Sequence, residues 1–216
     1  GPAMVPHFQR HGLTDPARLA QLDGRKSYYT TLVPKVPAHF LRLEESRPLQ
    51  IGGREWRVIT GTGHSPEHAA LHCAELGILI SGDMVLPRIS TNTSVFAIEP
   101  EADAVGQYLS SLEKFLPLAE DTLVLPSHGK PFRGLHRRIA QLQAHHAERL
   151  DEVSEACATP QSAADIVPIM FKRELDTHQL TFAMGEALAH LHRLWYAGEL
   201  QREEGADGVL RFVRIE

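Results

Sequence analysis

Cysteine is nearly missing from this 216-residue chain, which has only Cys73 and Cys157. The two lie far apart and outside any Cys-x-x-Cys, which argues against a disulfide framework or a cysteine zinc cluster and fits a reducing, cytoplasmic setting. No apolar run approaches the roughly 18 residues of a membrane helix, and the N-terminus lacks the charged, apolar, small-residue order of a signal peptide. Basic runs are absent and the formal net charge is -5, so a polyanion is not the expected partner. There is no internal repeat and no low-complexity tract. Gly1 to Ala3 ahead of Met4 read as the scar of a removed expression tag and are set aside.

What is present has the composition of a globular protein, long enough for one large domain or two small ones. Residues 5 to 48 are polar, proline-punctuated and weakly periodic, and read as helical connections rather than core. Their one clear signal is TDPARLAQL, where Thr14 or Asp15 caps a short helix with Pro16 at its first position. From Leu49 the pattern changes. LQIGGREWRVI reads as a hairpin turned at its two glycines, and HAALHCAEL and GILISGD read as two further strands, the second an unbroken buried run. ADAVGQYLSSLEKFL spaces Val105, Leu109, Leu112 and Leu116 at helical intervals, and DTLVLPSHG is another short buried strand. Beyond Gly134 the sequence turns helical, with the cap of one helix at Asp176 or Thr177, and closes on a hairpin, ELQREEG and GVLRFVRIE. The expected division is therefore residues 1–133 and 134–216.

The chemistry is expected at strand ends. GTGHSPEH places His64 after a flexible glycine and before a stiffening proline. SGD puts Asp83 beyond a buried strand, where an unpaired carboxylate is costly, and PSHG repeats the arrangement with His128. Any one of these alone is read more simply as a surface polar group or a turn cap. Three nitrogen and oxygen donors at strand termini together favour a metal site, since neutral imidazole and carboxylate bind Zn²⁺ at about 2.0 to 2.2 Å. His68, four residues after His64, is expected to orient a ligand rather than to bind metal itself. His190 and His192, two apart on a helix, point to different sides and make no clasp, and the adjacent His145 and His146 diverge similarly.

In this order, GHSPEH, SGD and PSHG resemble the third, fourth and fifth motifs of the metallo-β-lactamase-fold hydrolases. The resemblance runs from about Leu49 to Phe132, and the helical tail is similar to a branch of that family with a C-terminal extension. It implies an α/β fold: a partial αββα sandwich followed by a mostly helical, winged-helix-like domain. Carried over residue by residue, His64 serves one metal, His128 a second, and Asp83 both. The ions implied are two zinc ions, with Fe or Mn suited to the same donors. The implied reaction is hydrolysis by metal-bound hydroxide, and no GxSxG offers a serine alternative. Ser90, Thr91 and Asn92, in the loop after the aspartate, are the implied substrate contacts, although a turn held by local hydrogen bonds explains that loop as well. The family's opening motif, HxHxDH, does not occur in residues 1 to 63, so the chain reads as the second half of the fold with an incomplete site.

A small ester or thioester is the expected substrate. The alternatives are a nuclease of the same fold and a non-catalytic assembly module. Thirteen acidic against nine basic residues from Gly134 onward oppose a nucleic-acid-binding tail. Half a sandwich exposes an apolar sheet face, so a homodimer or a second, N-terminal polypeptide is the expected partner.

Overall fold

The computed structural model describes residues 2–25 and 33–215. In chain order the elements are α1 (Met4–Arg10), α2 (Pro16–Asp23), β1 (Leu49–Ile51), β2 (Arg54–Gly61), β3 (His68–Cys73), β4 (Ile78–Gly82), α3 (Ala104–Glu113) and β5 (Leu123–Pro126). They continue with α4 (Leu135–Ala156), α5 (Ala163–Met170), α6 (Thr177–Tyr196), β6 (Leu200–Glu204) and β7 (Leu210–Arg214). Two compact units emerge, one of Leu41–Thr93 with Ala104–Glu148, the other of Gly1–Phe40, Ser94–Asp103 and Arg149–Glu216. This grouping differs from a cut at Gly134, because it divides α4 and places the N-terminal helices with the C-terminal ones.

The first unit carries a five-stranded sheet in the order β1-β2-β3-β4-β5. Neighbours are antiparallel through β4, whereas β5 lies parallel to β4. A parallel pair requires a crossover, which here contains α3. One face of the sheet, with Ile59, Ala70, Leu79 and Val124, packs against Tyr108, Leu112 and Phe115 and against Leu135, Ile139 and Leu142 of α4. The other face is also apolar. Register puts Leu71, Ile80 and Leu125 in one row across it, with Ile78 and Leu123 two residues along their strands. Ile80 in that row is 39% exposed.

In the second unit Asp15, not Thr14, caps α2, its carboxylate accepting from the amides of Ala17 and Arg18. Capping boxes at Ser162 and Asp176 start α5 and α6. The expectation that residues 5 to 48 stay outside the core is corrected here: Phe8, Leu13 and Leu22 are buried. The backbone bond from Ala164 N–H to His11 O ties α5 to the end of α1. Weak periodicity hid this because α1 and α2 each present only one or two core residues.

His7, His11 and His192 are among the buried histidines of this unit. His11 Nδ1 bonds His7 O at 2.7 Å and His192 Nδ1 bonds Ala102 O at 3.1 Å, while Nε2 of His192 meets no hydrogen-bond partner among the described residues. Burial holds all three pKa values below the ordinary 6.5, His11 at about 4. Glu101 opposes the shift for His7 and His192, and Arg10 deepens it for His11. The unfolded chain therefore takes up protons that the folded one refuses, so stability falls as pH drops from 6.5 toward 4. For His11 alone the loss is about 3 kcal/mol. Thermal melts between pH 7 and 4 should show it, and His11→Phe should flatten that limb.

Candidate functional site

Strand direction collects the polar residues at one edge. Because β3 is antiparallel to both neighbours and β5 is parallel to β4, the strands β2, β4 and β5 all run the same way. His64 follows the end of β2, Asp83 the end of β4 and His128 the end of β5, so all three stand outside the carboxyl ends of strands that run the same way. His68 opens β3 on that same edge. An irregularity between Ile80 and Gly82 in the β4–β5 ladder re-aims the chain just before Asp83.

Two glycines make the approach possible. Gly63 has φ 94°, and a Cβ there would lie 2.4 Å from Ala104 O and 2.6 Å from Tyr108 N, so only glycine passes the start of α3. Gly82 has φ 54°, and its Cβ would meet the His68 imidazole at 2.4 Å. Beyond Asp83 the chain turns inward, with Met84, Val85 and Leu86 buried and the Ser81 hydroxyl donating to Val85 O at 2.9 Å. The turn is thus anchored on both sides of the carboxylate.

The three predicted ligands converge. His64 Nε2 lies 3.5 Å from Asp83 Oδ2, and His128 Nε2 lies 3.4 Å from Asp83 Oδ1. The His64 Nδ1 atom is 2.8 Å from Asn92 O; a carbonyl only accepts, so Nδ1 carries the hydrogen and Nε2 presents a lone pair. In the neutral ring that lone pair faces a carboxylate oxygen, acceptor against acceptor, an arrangement that a cation between them would satisfy. Two donors each about 2.1 Å from a tetrahedral zinc ion stand about 3.4 Å apart, which matches both separations. Among the described residues no three His, Cys, Asp or Glu side chains are arranged to hold one ion. The donors come instead as two pairs that share Asp83. They fit two ion positions, each with two of its donors from these residues.

The surrounding groups hold Asp83 in place. His68 Nε2 accepts the Asp83 backbone N–H at 3.1 Å, so that nitrogen is committed to the backbone. Burial first, then the proximity of His64, lowers the His68 pKa, which keeps the ring neutral and able to accept. The idea that Thr91 meets substrate gives way to a different role: its side chain is buried and its hydroxyl donates to Asp83 O. Asn92 supplies the carbonyl that orients His64, and Ser90 is half-buried beside them. Two participants escaped the sequence reading. Tyr108, whose hydroxyl donates to Met84 O at 3.0 Å, was concealed in an apolar helical stripe. Arg138 donates to Leu86 O at 2.6 Å and Ile89 O at 2.9 Å; a cation in a helix's first turn opposes the helix dipole, and that was the available signal.

Comparison with known proteins bears on the same residues. The family described as "Metallo-beta-lactamase superfamily" matches residues 6–128, more than half of the chain, and takes in His64, Asp83 and His128. The chain belongs to the metallo-beta-lactamase superfamily. A second family, "Metallo-beta-lactamase-like, C-terminal domain", matches residues 150–215. Superfamily members are in general hydrolytic metallo-enzymes and often bind zinc. The "Probable metallo-hydrolase YqjP" of Bacillus subtilis (strain 168) is 26% identical over 142 residues, 63% of this chain and 43% of its own. A beta-lactamase domain protein from Burkholderia ambifaria is 63% identical with a TM-score of 0.94, covering 99% of this chain and 62% of its own. A metallo-beta-lactamase family protein from Thermus thermophilus is 27% identical with a TM-score of 0.78, over 99% and 64%. The chain thus spans less than two thirds of the length of each of these superfamily relatives.

Proposed function

We propose that the chain is the metal-binding part of a hydrolase acting on a small ester or thioester. The observation that carries this reading is the shared carboxylate: Asp83 offers one oxygen to the His64 side and the other to the His128 side. His64 and Asp83 would hold one ion, His128 and Asp83 the other, and when bound the metal supplies Lewis-acid activation of a carbonyl and of water at neutral pH. The remaining residues orient and hold. Asn92 O fixes the His64 ring, while His68 and the Thr91 hydroxyl fix the backbone on either side of the Asp83 Cα. Zinc is the proposed metal; iron or manganese suits the same donors. Zinc-loaded protein should hydrolyse a small thioester faster than an equal concentration of free zinc, and chelation should abolish the difference. Equal rates would count against the assignment.

A second reading concerns partners. A sheet apolar on both faces is normally covered on both, yet Ile80 stands 39% exposed amid Leu71 and Leu125. We read this face as the seat of another polypeptide or of a second copy of the chain. If a second copy sits there, light scattering should show mass rising with concentration, and Ile80→Lys should restore the monomer; a parent that stays monomeric over a wide range would contradict the second copy. No helix among the described residues is long and apolar enough to cross a membrane. The pair α5 and α6 with the β6–β7 hairpin reads as winged-helix-like, and its acidic balance does not favour a nucleic acid.

A further inference from the structure

A cavity of about 560 Å³ opens beside His128. Its wall is apolar at Pro87, Ile89, Pro131 and Phe132, and two cations, Arg88 and Lys130, stand on it. The wall is built rather than incidental. The Arg138 guanidinium holds the carbonyls of Leu86 and Ile89 and so fixes the segment that carries Arg88, and Phe132 exchanges both backbone bonds with Val124 of β5. Among the described residues neither Arg88 nor Lys130 has a carboxylate within ion-pair distance. Four other cations of this unit are committed: Arg42 to Glu67, Arg54 to Glu75, Lys114 to Glu45, and Arg138 to carbonyls. Two uncommitted cations on an apolar wall are what a ligand with a greasy body and an anionic group would meet.

We propose that this pocket binds the acyl part of the substrate and that Arg88 and Lys130 hold an anionic group carried by that part, so the enzyme prefers acidic acyl compounds over neutral ones. Calling the occupant a substrate rests on the hydrolase reading; the pocket's taste for organic anions does not. Arg88 offers a planar fork and Lys130 a point charge, and a carboxylate satisfies both. Both cations are exposed to solvent, so selectivity weakens with salt.

The test is binding of 3-phenylpropionate and of its neutral amide to metal-free protein, followed by backbone NMR shifts, with phenyl phosphate as a third probe. The acid should bind about tenfold tighter than the amide at low salt, moving resonances of Ile89 and Gly129. Arg88→Ala and Lys130→Ala should each lose about threefold, and the double variant should bind acid and amide alike. Arg88→Glu should bind the acid more weakly than Arg88→Ala. Phenyl phosphate binding tighter than the carboxylate would assign the anionic group as a phosphate instead. Equal affinity of acid and amide for the parent protein, no binding of either, or an acid preference unchanged in the double variant would each overturn the proposal. Zinc uptake, measured on separate aliquots of the same protein after zinc loading, separates the two readings. Selectivity with no zinc uptake leaves the pocket standing and removes the hydrolase, and zinc uptake without selectivity does the reverse.

Discussion

Gly63→Ala should destabilise the sheet-bearing unit by about 2 to 6 kcal/mol, a large share of the roughly 5 to 15 kcal/mol that a domain of this size commands. Two effects add. A non-glycine residue at φ 94° sits outside the ordinary allowed regions and is strained by about 1 to 3 kcal/mol. The new methyl would also stand 2.4 Å from Ala104 O and 2.6 Å from Tyr108 N, which are backbone atoms at the start of α3 and cannot swing aside as a flexible side chain does; overpacking of this sort costs about 1 to 3 kcal/mol. Gly77→Ala is the control, since Gly77 has φ 60° but open space around its Cβ position, and it should lose only the strain. Urea unfolding followed by circular dichroism measures both. A Gly63→Ala midpoint equal to that of Gly77→Ala would show that the approach to α3 is not tight. Because Gly63 precedes His64, the variant should also bind zinc less well at the His64 side.

Asp83→Asn should remove metal binding at both positions, by well over the roughly 100-fold that loss of a supporting group costs a metal site. A neutral amide oxygen is a far weaker ligand than a carboxylate, and here a single side chain faces both imidazoles, at 3.5 and 3.4 Å. Removing one imidazole is a smaller change. His64→Ala and His128→Ala should each leave one ion position with its donors from this chain, so the zinc content of either variant should exceed that of Asp83→Asn. Dialysis against zinc followed by elemental analysis distinguishes them. If Asp83→Asn kept as much zinc as the histidine variants, the shared-carboxylate arrangement would be wrong.

The site was more legible in the sequence than the packing around it. His64, Asp83 and His128 announce themselves because each sits next to a glycine at the end of an apolar run, and a strand end is a local pattern. Their meeting follows from strand direction. No local pattern states that β3 reverses while β5 runs parallel to β4, yet that arrangement puts three separated residues on one edge. The inward turn of Thr91 was legible only as one of two readings of its loop, substrate contact or a turn held by local hydrogen bonds, and the bond of its hydroxyl to Asp83 O is of the second kind. Arg138 was missed for a related reason. Its role is to cap carbonyls of a loop some fifty residues earlier in the chain, and periodicity records only the apolar face of a helix. The N-terminal helices were misjudged because their apolar residues are few, and whether Phe8 or Leu22 is core depends on what packs against it.

Diffraction at the zinc absorption edge from crystals of the zinc-loaded chain is the most direct test of the shared carboxylate. Two anomalous peaks are expected on either side of Asp83, one next to His64 Nε2 and the other next to His128 Nε2. Peaks confined to other histidines, or none at Asp83 with zinc in excess, would contradict it.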